Sequence, residues 1–212
     1  YTNKIERKSI PSIKMSDGPN GVRGDSNSGK SSACFPCAIS IGSSWDLDQV
    51  KKIGVALGEE AQAKNVDVLL GPTINIHRHP LGGRHFESFS EDPFLTGKIA
   101  SNYVQGVQSQ NVAACLKHFV GNDTEFERHS ISSNIDERTL REISLLPFEL
   151  GVTEGNAKVV MSAYNKLNNV YCSSHQELLL EILKKDWGFD GYVVSDWGAA
   201  LETEENAKGG LD

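Results

Sequence analysis

The chain has 212 residues, with 21 Lys and Arg against 28 Asp and Glu for a formal net charge of −7, and an isoelectric point of about 5.4. That balance argues against nucleic acid or an anionic membrane as partner, since both need a basic footprint, and no apolar run approaches the length of a membrane span. The length suits one large domain or two small ones with a sizeable core.

The first residues, YTNKI, carry no initiator Met, no apolar signal core and no transit-peptide character. Both ends look cut, so cellular location stays open, as does assembly into a homo-oligomer. Residues 10–15 form a short apolar stretch that predicts a strand halting at Asp17, followed by a Gly/Pro/Asn loop to about Ser32. Residues 37–41 predict a second strand. Asp46 or Ser44 then opens an amphipathic run in which Leu47, Val50, Ile53, Leu57 and Ala61 recur at helical spacing. A third strand over 66–70 ends at Gly71-Pro72, and a polar loop carries Arg84, Glu87 and Asp92 up to Pro93, which is placed to start a helix over 93–110.

A fourth strand, 111–116, stops at Lys117-His118, and another polar loop runs to about Ile135. Asp136 is the expected cap of a helix over 137–152. A fifth strand, 158–162, ends near Tyr164, and Ser174 is the expected cap of a helix over 175–187. The sixth strand, 191–194, runs into Ser195, Asp196 and Trp197. Alternating strands and helices predict parallel βαβ units. Strands apolar throughout predict a sheet covered on both faces. The expected fold is α/β, a (β/α)8 TIM-like barrel with fewer than its eight strands in this chain. An open doubly wound sheet is the alternative, weakened because no glycine fingerprint opens a helix after the first strand.

Asp196 alone reads as the cap of a helix starting near Gly198. Strands that also end at Asp17, Lys117, His118 and Tyr164 change that reading, because such residues converge at one end of a parallel barrel. A carboxylate among lysine, histidine and arginine stays ionised at neutral pH, which suits a nucleophile on an electrophilic sugar carbon. The surrounding donors suit vicinal hydroxyls. Trp197 offers either a flat face to a sugar ring or ordinary core packing.

Other chemistries remain open on the residues alone. Lys117 could form a Schiff base if an apolar pocket surrounds it. His77 and His79, with His85 or Glu87, have the types but not the setting of metal ligands, because Arg78 and Arg84 repel a cation. Cys34 and Cys37 have CxxC spacing with no second pair or paired His, and Cys115 and Cys172 stand apart, so the redox compartment is not fixed.

Several blocks resemble glycoside hydrolase family 3 in that family's order: SDGPNGVRG at 16–24, GPTINI at 71–76, PLGGRHFESFSEDP at 80–93, KHFVGND at 117–123, Glu127-Arg128, MSAYN at 161–165 and VSDWG at 194–198. Among its members the chain most resembles the β-glucosidases. The resemblance implies part of the family's N-terminal catalytic barrel domain over 1–212, acting on a terminal β-glucosyl unit of an oligosaccharide or aryl glucoside. It implies a retaining mechanism with Asp196 as nucleophile and no metal or cofactor. Asp17, Arg84, Lys117, His118 and Arg128 match residues that hold sugar hydroxyls, while Met161, Tyr164 and Trp197 match residues lining the pocket.

The family's β-glucosidases take their acid/base carboxylate from a following α/β domain, which is absent here. Its N-acetylglucosaminidases instead carry a histidine block after the Lys-His pair, and the loop VGNDTE at 120–125 lacks one. β-Xylosidase or broader β-glycosidase activity in the same family is the alternative. A sugar-binding fragment without catalysis is the alternative from another class.

Overall fold

In the computed structural model, which describes residues 1–25 and 30–212, the apolar runs condense into one parallel sheet. Its strands are β1 (Met15–Ser16), β2 (Val68–Leu69), β3 (Ala113–Phe119), β5 (Val159–Ser162) and β8 (Tyr192–Ser195), in the order β1-β2-β3-β5-β8. Each new strand adds beside the last and every pairing is parallel. A doubly wound sheet would reverse direction partway; this one winds in one sense, as a barrel does. The sheet is five strands of an incomplete (β/α)8 barrel.

The strands bury both faces, which is why they carry no polar alternation. On the inner face Val68, Leu70, Cys115, Val159 and Met161 form one buried cluster, edged by Met15, Tyr192 and Val194. On the outer face Leu69, Ala114, Leu116, Val160 and Val193 join the larger core beneath the helices. Adjacent strand residues thus belong to different cores, as a period of two requires.

Helices α1 (Ala38–Ser43), α2 (Leu47–Ala63) and α3 (Pro93–Gln108) follow the first two strands. The Asp46 carboxylate accepts from the Gln49 amide at 2.9 Å and caps α2, and Asp92 accepts from Leu95 at 2.8 Å ahead of Pro93 in α3. Glycines let α2 and α3 touch: a Cβ at Gly54 would lie 2.5 Å from the Tyr103 carbonyl oxygen, and one at Gly106 2.3 Å from that of Lys51.

Four expectations are corrected. Residues 37–41 are not a strand but lead into α1, because Ala38, Ile41 and Gly42 are the buried positions, a helical spacing. The helix expected over 137–152 is broken into α4 (Glu137–Thr139), a π-helical segment Leu140–Ser144 and α5 (Leu146–Thr153), with Pro147 at the start of α5 and unable to continue the preceding hydrogen-bond ladder. The helix expected over 175–187 is a π-helix, Glu177–Asp186. Ser174 does not cap it; its hydroxyl donates to the Tyr171 carbonyl, and His175 Nδ1 accepts from the Leu178 amide instead. No helix starts at Gly198: α6 spans Thr203–Gly209.

The sequence reading also missed a ribbon of two-residue strands, β4 (Ser132–Ser133), β6 (Lys166–Leu167) and β7 (Val170–Tyr171). Part of the loop expected after Asp17 falls on residues 26–29, outside the described residues. Its flanks are held by Glu60, which accepts from the Val22 and Ala33 amides at 2.8 Å each.

Candidate active site

The inner face sets the site by simple continuation. Two residues beyond Met15 comes Asp17, beyond Val68 Leu70, beyond Cys115 Lys117, beyond Val159 Met161, and beyond Val194 Asp196. These five all line one cavity of about 220 Å³ at the C-terminal end of the sheet, with Arg84, His118, Arg128, Tyr164 and Trp197 completing its wall. Every residue expected at the strand ends thus faces the same space. Neighbouring strand residues normally face opposite ways, but the β3–β5 register breaks between Leu116 and Phe119, and Lys117 and His118 both reach the cavity.

Asp196 caps nothing. Its Oδ1 accepts from the Trp197 amide at 2.8 Å, while Oδ2 stands 3.6 Å from His118 Nε2. The Tyr164 hydroxyl donates to the Trp197 carbonyl at 2.7 Å and so holds that turn. Burial, and then the Asp196 charge, push the Tyr164 hydroxyl above its ordinary range. Trp197 is 57% exposed, so it forms an open wall and not core.

The cations are held from behind by two glutamates. Glu87 accepts from Arg84 Nε at 2.5 Å and from Thr73 at 2.9 Å, with Lys117 Nζ at 4.0 Å. Glu125 accepts from Arg128 at 2.6 Å and lies 3.9 Å from a second nitrogen of Arg84. Arg128 also lies over the Tyr164 ring, 4.6 Å from its centroid. Asp17 pairs with Arg23 at 3.4 Å.

His118 is 2% exposed, and burial, then the charges of Lys117, Arg84 and Arg128, hold its ring well below the ordinary imidazole range. Both causes favour the neutral imidazole. The cavity thus offers donors from Arg84, Lys117 and Arg128 and acceptors from Asp17 and Asp196.

Other carboxylates near the site are committed elsewhere. Asp92 caps α3, and Asp123 accepts from the Ile76 amide at 3.3 Å in a smaller cavity behind His118. Lys117 is ion-paired, not surrounded by the apolar pocket a Schiff-base lysine requires. His77 stacks on His85 at 4.4 Å, and among the described residues no three His, Cys, Asp or Glu converge as metal ligands. Cys34 and Cys37 are exposed and unbridged; Cys115 and Cys172 are buried, which pushes both thiols up to about 12. Leu70, Thr73, Asn75 and Glu125 were missed from the sequence. Leu70 could have been found from the period of two; the others sit on irregular backbone that leaves no such signal.

The model of the glycosyl hydrolase family 3 N terminal domain matches residues 2–209. A beta-glucosidase of Rhizobium radiobacter is 53% identical over 213 residues, matching 100% of this chain and 26% of its own length. Thermostable beta-glucosidase B of Acetivibrio thermocellus is 50% identical, again over 100% of this chain and 29% of its own. Among solved structures, the beta-glucosidase of Kluyveromyces marxianus in complex with glucose superposes with a TM-score of 0.96 at 48% identity, covering 100% of this chain and 25% of that one. Beta-glucosidase 3B of Thermotoga neapolitana in complex with glucose gives 0.94 at 45%, over 99% and 30%. The chain therefore spans between a quarter and a third of the length of these relatives.

Proposed function

The chain belongs to glycosyl hydrolase family 3, and from that membership we propose that it is part of a retaining, exo-acting β-glucosidase with Asp196 as nucleophile. The observation that carries the reading is the standing of Asp196. One oxygen is tied to the Trp197 amide and the other is turned into a cavity shared with Arg84, Lys117, His118 and Arg128. A fixed carboxylate in that setting attacks the anomeric carbon of a bound β-glucoside. The C1–O bond to the aglycone breaks as the new C1–O bond to Asp196 forms, and the departing oxygen takes a proton from a general acid. Water, deprotonated by the same group, then releases glucose and frees the carboxylate.

In this reading Asp17, Arg84, Lys117, His118 and Arg128 hold the sugar hydroxyls, Met161 and Tyr164 floor the pocket, and Trp197 walls it. The general acid comes from a following α/β domain of the same polypeptide. What supports that part is the engagement of Glu87, Asp92 and Asp123 elsewhere, while a retaining pair needs two carboxylates about 5–5.5 Å apart. Residues 1–212 on their own are then expected to be inactive.

In the full-length enzyme, Asp196→Ala should lose several orders of magnitude of turnover on an aryl β-glucoside. A 2-fluoro-glucoside trap followed by peptide mapping should label Asp196. Near-normal turnover of the variant, or a label on Glu87 or Asp92, would sink the assignment. Faster cleavage of the aryl β-xyloside than of the β-glucoside would move the enzyme to the xylosidases.

A further inference from the structure

Asn75 lies in the loop after β2, is 6% exposed, and grips His118 through the backbone as well as the ring. Its Nδ2 donates to the His118 carbonyl at 2.9 Å, and its Oδ1 accepts from the His118 amide at 2.9 Å. Those two bonds leave the amide no freedom to flip, because the reverse orientation would set donor against donor and acceptor against acceptor. The same Oδ1 lies 3.3 Å from His118 Nδ1. An oxygen with only lone pairs to offer demands a proton on the nitrogen it faces. A neutral ring carries a single N–H, so the proton sits on Nδ1 and Nε2 presents a lone pair.

That nitrogen stands 3.6 Å from Asp196 Oδ2. Two acceptors facing each other form no bond, so His118 does not tie up Oδ2. The opposite tautomer, or an imidazolium, would place N–H on Nε2 and tie up the carboxylate oxygen. We propose that Asn75 is a positioning residue that keeps the proton of His118 on Nδ1, so that Nε2 accepts from a substrate hydroxyl and the facing oxygen of Asp196 stays free to attack.

The groups facing His118 agree with this. Arg84 and Arg128 from loops and Lys117 from β3 only donate, while Asp196 and Tyr164 line the same cavity; behind it, His85, Asp123 and Glu125 line the second cavity with Asn75. Among the cavity's nitrogen side chains, His118 alone can accept. The inference rests on the glucosidase reading for its consequence, but the position of the proton can be read independently.

Two measurements on the full-length enzyme test it. Histidine-selective ¹⁵N NMR, with His118 assigned by its loss in His118→Gln, should show Nδ1 protonated and Nε2 bare at neutral pH. A protonated Nε2 would overturn the proposal whatever the activity. Asn75→Asp places a carboxylate on Nδ1 and so favours the imidazolium, whose Nε2–H would bind Asp196. The acid limb of its kcat/KM profile should move up by about 1–3 pH units, with activity recovered at higher pH. Asn75→Ala should lower the rate without that displacement. An Asn75→Asp profile that is lowered uniformly, with its limb unmoved, would reduce Asn75 to a structural role and refute the proposal. An enzyme with the expected tautomer but no cleavage of any aryl β-glucoside would overturn the functional reading alone.

Discussion

At the scale of single residues, the site depends on groups that do not line its cavity. Glu87 pairs with both Arg84 and Lys117, with its own side chain 8% exposed. A hydrogen bond to a charged partner is worth about 1.5–3 kcal/mol, so Glu87→Gln should lower kcat/KM on an aryl β-glucoside by roughly ten- to a hundred-fold. Glu125, with its side chain 25% exposed, should give a smaller loss as Glu125→Gln. Wild-type kinetics in Glu87→Gln would show that the cations hold themselves. Asp17, Lys117, His118, Tyr164 and Asp196 were legible in the sequence because each closely follows an apolar run; the expected strand end at residue 116 is corrected, since β3 continues to Phe119 and holds Lys117 and His118 within it. Glu87 was visible only as a loop carboxylate, and Asn75 and Glu125 not at all. Their roles are fixed by contacts such as Asn75 with His118, 43 positions away in sequence.

At the scale of elements, the seam between α2 and α3 is built on Gly54 and Gly106. The clashing atoms are backbone carbonyls, so they cannot rotate aside. Gly54→Ala should therefore destabilise the full-length enzyme by about 1–3 kcal/mol, in the range of overpacked cores, visible as a lower Tm. Glu59→Ala on the exposed side of α2 should stay within about 0.5 kcal/mol; an equal loss in both variants would remove the seam as the cause. Asp46 and Pro93 made the starts of α2 and α3 legible, while the capping job of Asp92 appeared only in the structure. The segment 37–41 was misread because a short apolar run suits helix and strand alike. Pro147 did signal a break, but the apolar spacing continues across it. The ribbon strands are too short to show any period.

At the scale of the whole molecule, barrel and doubly wound sheet share the same order of elements along the chain. Only the spatial order of strands separates them, and no residue spells that order. Stability carries a pH signature of the whole fold. His118, His77 and His175 are each held below the ordinary imidazole value, by burial first. Below about pH 6.5 the unfolded chain takes up protons that the folded chain refuses, so stability falls with falling pH through that window. Asp123, pushed up by burial, acts with the opposite sign nearer the carboxylate range. The Tm of the full-length enzyme should drop between about pH 7 and pH 5, and His118→Gln should flatten that slope. A Tm independent of pH across the window would contradict the buried neutral rings.

The paired cations around the cavity have a further consequence, for ionic strength. Arg84, Lys117 and Arg128 stand among Asp17, Glu87, Glu125 and Asp196, so the cavity presents strong local dipoles but little net field. In the proposed reading an uncharged glycoside is gripped by these dipoles at contact distance, inside any ionic atmosphere. Raising salt from about 0.01 M to about 1 M shortens the screening length from about 30 Å to about 3 Å, yet KM for a neutral aryl glucoside should hardly move. A KM for the neutral glucoside that shifted several-fold over that range would mean that the cavity is not electrically balanced.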